Sequence, residues 1–387
     1  MKIGILCLTT PEAGGVHQYS LSAVEALKLL SNDYDIVQIR LETFPKILDK
    51  DLVLPINLYK AANLFVKLIR AFDSFFKLEV LDSAIQLARE HLNDFDLLIS
   101  PIISLFPYHL RKPYVVTIHD FQHKYYPNFF SIKERLTREI IYRTGIHSNM
   151  IVVESEFVKK DTVKFLKVDA SKIKVIPSPP PTYISRIVLY EDKIPMIINK
   201  YHLTGEYLFY PAQFWHHKNH IALLEALKIL KERYNLFIPL ILCGSKKNNF
   251  NNVMKFIESN NLENQVKYLG YVTNEDMPYL YKLSTALVMP TLFESVSLPI
   301  WEAFYLGVPV VSSNVCALPE QVGDAGLIFN PNDPEDIAEK IYKIWTDKDL
   351  RKILIEKGYK RIKDLTIEKY AEKWRDVIEE VRRSVKK

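Results

Sequence analysis

Two carboxylates, Glu294 and Glu302, stand eight residues apart in PTLFESVSLPIWEAFYLGVPVVSSN, residues 290–314. An apolar run, Ala286 to Met289, predicts a strand entering this stretch. A loop follows with Glu294, Ser295, Val296, Ser297 and Leu298. Pro299 suits the first turn of a helix, because its missing N–H would have no intrahelical partner there. That helix is predicted to end near Gly307, and a second apolar strand, Val308 to Ser312, comes next. The amides of Ser297, Leu298 and their neighbours would then point off a helix N-terminus, where an anion is favoured. A carboxylate beside a phosphate cradle makes sense only if it grips another part of the same ligand. Sugar hydroxyls are such a part, so the segment predicts a ligand with both phosphate and sugar.

Other residues could join it. Gly14 and Gly15 follow the first predicted strand and precede a helix, so a ligand could approach their backbone. They do not form G-x-G-x-x-G, which excludes the dinucleotide fingerprint; an ordinary turn and a substrate loop stay open. His119 and Asp120 end the run Tyr114 to Ile118, where doubly wound folds bind ligands. The alternative is a helix cap beside a packed histidine. His123, Lys124, Tyr125, Tyr126 and Pro127 read as a loop that could touch a second substrate. In YPAQFWHHKNH, residues 210–220, Lys218 near a helix start is a phosphate ligand. His216, His217 and His220 invite a zinc reading, but no Cys or carboxylate completes the set, so no metal is expected. The Asp-x-Asp pairs Asp94–Asp96 and Asp347–Asp349 read as caps or turns. Glu320 is open between a structural cap and a site residue.

The elements carrying these residues alternate strand and helix. Strand-like runs are Ile3–Leu8, Leu97–Ser100, Tyr114–Ile118, Met150–Val153, Lys174–Ile176, Tyr207–Tyr210, Pro239–Cys243, Val266–Leu269, Ala286–Met289 and Val308–Ser312. Helical patterns include Gln18–Leu30 and Ile221–Tyr234. The alternation predicts α/β domains with parallel sheets covered on both faces. Four prolines within Pro177–Pro181 break the pattern. The expected organisation is a first domain over 1–180, a linker over 181–205 and a second domain over 206–366. The amphipathic run 367–387 would cap its own domain or cross back to the first.

The chain has 387 residues and a formal net charge of +5. That length suits two domains. No long basic stripe is interleaved with aromatics, so nucleic acid is not an expected partner. The excess charge lies largely in Arg382, Arg383, Lys386 and Lys387, which suits lipid headgroups or phosphorylated substrates. Residues 58–81 read either as a membrane-surface helix or as a domain helix with a solvated basic face. No run is long and apolar enough for a membrane span. Cys7, Cys243 and Cys316 are widely spaced, which fits a reducing cytoplasm with, at most, peripheral membrane contact.

The ordered set of motifs resembles the retaining glycosyltransferases of family 4, which have the GT-B fold. The resemblance rests on HKN at 217–219, LGYV at 269–272, the paired glutamates in FESVSLPIWEA, GVPVVSS at 307–313, LPE at 318–320 and the GDAGLIFNPNDPEDIA run after it. The first domain adds the glycines at 14 and 15, His119-Asp120 and SEFVKKD at 155–161. The resemblance implies two Rossmann-like doubly wound domains facing across a cleft. It implies that Glu294 binds donor-sugar hydroxyls and Glu302 the nucleotide ribose. Lys218 would neutralise the diphosphate with the amides of Ser295, Val296, Ser297 and Leu298. Val272 would lie beside the base, His119 near the reacting sugar, and Gly14 and Gly15 where diphosphate or acceptor approaches. Gln213 stands where the family commonly has arginine, which shifts charge neutralisation onto Lys218. Ser295-Val296-Ser297 replaces the common Gly-Phe-Gly, and a proline-rich run replaces the usual Asn-Gly after the interdomain strand.

These features imply hexosyl transfer from a nucleotide-diphosphate sugar to a hydroxyl of a glycan or lipid-linked acceptor. YPAQFW-x-HKNH is similar to polysaccharide-assembly mannosyl- and rhamnosyltransferases. GDP-mannose is therefore the first expected donor and a UDP-hexose the second, with no cofactor and no metal requirement. Competing readings are nucleotide-sugar epimerisation, phosphorolysis, and silent nucleotide-sugar binding.

Overall fold

The computed structural model describes residues 1–54, 72, 92–104 and 110–385. The segment 58–81 and the terminal lysines, to which membrane or phosphate contact was assigned, lie outside the described residues except for Phe72 and Arg382 to Val385. No helix among the described residues is long and apolar enough to cross a membrane.

The chain divides into two compact units, Met1–Pro179 with Leu365–Lys387, and Pro180–Asp364. The first holds a seven-stranded sheet: β1 Lys2–Cys7, β2 Asp35–Leu41, β3 Asp51–Leu54, β4 Leu97–Ser100, β5 Tyr114–Thr117, β6 Met150–Val153 and β7 Ile173–Val175. The order is β3-β2-β1-β4-β5-β6-β7, and all pairs are parallel. The second holds six parallel strands: β8 Leu208–Pro211, β9 Leu240–Cys243, β10 Val266–Tyr268, β11 Ala286–Met289, β12 Val310–Ser313 and β13 Gly326–Phe329, in the order β10-β9-β8-β11-β12-β13. Both are Rossmann-like. β4, β5, β6, β9, β11 and β12 are buried throughout, as expected of strands covered on both faces.

In each sheet the strand order reverses beside the first strand, between β1 and β4 and between β8 and β11. Loops leaving adjacent strands diverge there and open a crevice at their carboxyl ends. Those loops hold Gly14 and Gly15 in the first unit, and Lys218 and Glu294 in the second.

The terminal helix Ile367–Val385 belongs to the first unit and packs on the helix Gly15–Lys28. Tyr370, Trp374, Val377, Ile378 and Val381 enter the core with Tyr19 and Leu27. Tyr34 donates to Glu379 at 2.6 Å, and Arg375 pairs with Asp33 at 2.6 Å. Residues 181–205, expected as an irregular linker, instead hold helices Thr182–Ser185 and Lys193–Tyr201 and cluster with the second unit. The prolines end before the first of these helices, so the chain is free to coil again. Residues 122–125 form a helical turn rather than an open loop, with His123 buried against Tyr142.

Candidate functional site

In the second unit β8 delivers Lys218 and β11 delivers Glu294. Two clamps bring their loops together. The His217 carbonyl accepts from the amide of Leu292 at 2.7 Å and the hydroxyl of Thr291 at 3.0 Å. Asn219 takes the left-handed conformation at the start of helix His220–Tyr234, and its Nδ2 donates to the carbonyls of Pro290 and Pro331 at 3.0 and 2.8 Å. The result is a Lys218–Glu294 ion pair, with each side chain under one-fifth exposed. Both groups are therefore partly screened from water while remaining reachable.

Gly244, after β9, packs against the same loop. A Cβ there would lie 2.5 Å from the Ala212 carbonyl, and its φ of 131° strains any other residue. Gln213 next to it turns its Oε1 to the Trp215 indole N–H at 2.9 Å. His220, one of the three histidines of the zinc reading, is a core residue. It stacks on Phe214 with centroids 4.4 Å apart, and burial, helped by the Lys218 charge, pushes its pKa down to about 3. Among the described residues no cluster of three metal-ligating side chains occurs. Asp96 accepts the Lys2 amide at 2.8 Å, and Asp347 caps the helix Lys348–Ile362 through the Leu350 amide.

The helix after Glu294 runs Leu298–Leu306, with Pro299 in its first turn and Gly307 closing it at φ 68°. Ser297 sits before it in an extended conformation, which any residue adopts, so the serine costs no strain. Its amide, expected in the phosphate cradle, is spent inside the unit. Ser297 N–H donates to Gln321 Oε1 at 2.8 Å, and Gln321 Nε2 donates back to the Ser297 carbonyl at 2.7 Å. Ser295, Val296 and Leu298 remain half-buried around the turn. No acceptor among the described residues takes the amide of Val296 or Leu298. Gln321 was missed because a single amide within LPEQV carries no sequence signal. Gln321→Leu would strand a buried amide and carbonyl. A loss of about 1–3 kcal/mol is expected, read by urea unfolding.

Glu302 lies on the same helix but points inward and is 5 % exposed. Its Oε1 accepts the Tyr183 phenol and its Oε2 the Tyr281 phenol, each at 2.6 Å. Burial raises its pKa, and the two phenols oppose that rise. Each carboxylate oxygen keeps a further lone pair for a ligand hydroxyl. Neither tyrosine was anticipated. Val272 is buried, whereas its neighbour Tyr271 is 78 % exposed. Glu320, on the short helix Leu318–Val322, is exposed and its carbonyl is bonded by Arg361.

In the first unit, Gly14 has φ 62° and ψ −122°, a conformation for glycine, and Gly15 begins the helix. His119 follows β5. Its Nδ1 is 3.0 Å from Glu154 Oε2 and its Nε2 is 3.0 Å from the Pro101 carbonyl. Tyr19 packs edge-on against it at 4.7 Å and bonds Thr117 at 3.1 Å. Burial pushes the imidazole pKa down. The Glu154 bond and charge, the Pro101 carbonyl and Asp120 outweigh this, and the net shift is upward. Asp120 caps the turn after it through the Gln122 amide at 2.8 Å.

Two Rossmann-like units, with a cation–carboxylate pair where one sheet reverses order, are consistent with a glycosyltransferase of the GT-B fold. The chain matches the Glycosyltransferase Family 4 model over residues 13–180 and the Glycosyl transferases group 1 model over 197–361. It is 30% identical over 271 residues to O-antigen chain mannosyltransferase B of Escherichia coli, covering 68% of each chain. It is 27% identical over 235 residues to the O-antigen chain mannosyltransferase RfbU of Salmonella typhimurium, covering 61% of this chain and 62% of that protein. The structure of HepE from Anabaena, in complex with UDP and glucose, superposes with a TM-score of 0.74 at 15% identity, covering 98% and 99% of the two chains. The protein belongs to glycosyltransferase family 4.

Proposed function

We propose that this glycosyltransferase moves a mannosyl group from GDP-mannose to a hydroxyl of a growing polysaccharide or its lipid-linked precursor, with retention at the anomeric carbon. The Lys218–Glu294 pair at the β8/β11 switch point carries this reading. The O-antigen mannosyltransferases among its relatives support the sugar and the polysaccharide acceptor. UDP-hexoses are the next donors, since HepE is seen with UDP and glucose.

Lys218 moves from Glu294 to the diphosphate. The freed carboxylate takes hydroxyls of the sugar, and Glu302 takes the ribose. As the bond from the anomeric carbon to the phosphate oxygen breaks, charge grows on the leaving diphosphate. Lys218, once moved, and the Val296 and Leu298 amides stabilise it where water is partly excluded. The acceptor oxygen bonds to the same face of the anomeric carbon, and its proton passes to a phosphate oxygen of the leaving group. No protein carboxylate need act as nucleophile or acid, unlike in a glycosidase. No metal enters this scheme, because lysine and amides carry the charge.

The test is a panel of GDP-, UDP- and TDP-sugars with nucleotide release as readout. GDP-mannose is expected to give the fastest release, rising further with a mannose-terminated acceptor. Interconversion of the donor sugar without release would favour an epimerase, and sugar phosphate formed from free phosphate would favour a phosphorylase. Donor binding without either would leave a silent nucleotide-sugar-binding protein.

A further inference from the structure

We propose that Glu154 is a positioning residue that holds His119 doubly protonated, so that His119 enters the reaction as a held imidazolium and cannot be its base. The proposal deepens the transferase reading and rests on it for its consequence. Its geometry stands apart from that reading. Both His119 nitrogens lie 3.0 Å from an oxygen, one a carboxylate and the other a backbone carbonyl. A carbonyl only accepts, and an ionised carboxylate only accepts. A neutral imidazole has one N–H and one lone pair, so it satisfies one of these oxygens and sets a lone pair against the other. The imidazolium satisfies both.

The surroundings favour that form. Glu154, at the end of β6, is buried and uses its second oxygen as well, accepting the Ser178 hydroxyl at 2.7 Å. Among the described residues the charges acting on His119 are those of Glu154 and Asp120, both acidic, and Asp120 in turn pairs with Arg138 at 3.7 Å. Tyr19, from the helix Gly15–Lys28, closes the ring's face through its edge and carries no charge, because burial raises its pKa well above the ordinary. Tyr370, on the terminal helix, lies behind Tyr19 and is neutral for the same reason. A buried ion pair persists only when its remaining lone pairs and protons are met, and here they are.

The consequence is mechanistic. With both nitrogens donating, His119 has no lone pair to take a proton from an acceptor hydroxyl. The proton must leave by another route, and the phosphate oxygen of the departing diphosphate supplies one.

The experiment is a histidine-selective nitrogen-15 titration of the full chain without substrates, with His119→Gln assigning the signal. Both His119 nitrogens are expected to be protonated at pH 7, with a midpoint above that of ordinary histidine. Glu154→Gln removes the charge and offers an amide, so the midpoint is expected to fall and a neutral tautomer to appear at pH 7. Transfer by Glu154→Gln is then expected to drop roughly tenfold between pH 6 and pH 8, where the parent stays level. Ser178→Ala, which spares the carboxylate, is expected to keep the imidazolium. A neutral His119 in the parent at pH 7, or in Ser178→Ala, overturns the proposal whatever the transferase activity. Absence of transfer in the parent overturns the functional reading and leaves the titration result standing.

Discussion

Lys218→Ala is expected to lower kcat/KM for nucleotide release from the true donor by about 10²–10³-fold, the usual cost of losing one preorganised partner of a developing charge. Two effects act in the same direction. The leaving diphosphate loses the cation that neutralises it, and Gln213 nearby can only offer an amide. Glu294 also loses its partner and becomes an unpaired carboxylate facing the approaching phosphates. Stability is expected to fall by about 1–3 kcal/mol, because a largely buried carboxylate loses its partner, too little to unfold the unit. Steady-state kinetics with a thermal melt separates the outcomes. A variant that stays folded and keeps near-parent activity removes Lys218 from the site. Glu294→Ala is expected to match it in kcat/KM, since the sugar loses its anchor.

The second large effect is on folding. Trp374 is fully buried in the core of the first unit, between the terminal helix and the helix Gly15–Lys28. Trp374→Ala leaves a cavity in that core, and a cost of about 3–5 kcal/mol is expected. In calorimetry this is a drop of about 10 °C or more in the melting of the first unit. Among the described residues that core is built from the first unit, so the second unit's own transition is expected to stay in place. A shift of a degree or two would mean that the helix is an appendage rather than part of the core.

Much of the architecture was legible because buried parallel strands announce themselves. LLIS, YVVT, MIVV and ALVM are apolar runs with at most a terminal hydroxyl residue, and each is a strand. β2 was not read, because DIVQIRL breaks the run with Gln38 and Arg40. Gln38 is nonetheless fully buried, spending its amide on the loop around Pro45 and Leu48. β3 and β13 escaped for want of a continuous buried face. The linker was misjudged because proline halts a helix locally and says nothing about the residues after it.

Candidates for the site were legible where spacing carried the signal. Lys218 and Glu294 are separated by 76 residues, yet each follows its own strand into the same crevice. Glu302 could be found but not its bonds to Tyr183 and Tyr281, since a tyrosine's partner is decided by packing. The same holds for Glu154 and Gln321, whose roles arise from what stands across from them.

Tyr34 and Glu379 meet across 345 residues of chain. The first unit is therefore finished after the second during synthesis, although its sheet is made before it. Its sheet emerges with one helix face bare, and the whole second unit, which is continuous in sequence, follows before Trp374 arrives to cover it. The second unit can fold as it is made, while the first waits as an incomplete core. Closing so long a loop costs little more at equilibrium than closing a short one, so the finished enzyme is not weakened. The burden falls on the nascent chain, whose exposed apolar face invites chaperones and aggregation until the helix Ile367–Val385 has been made.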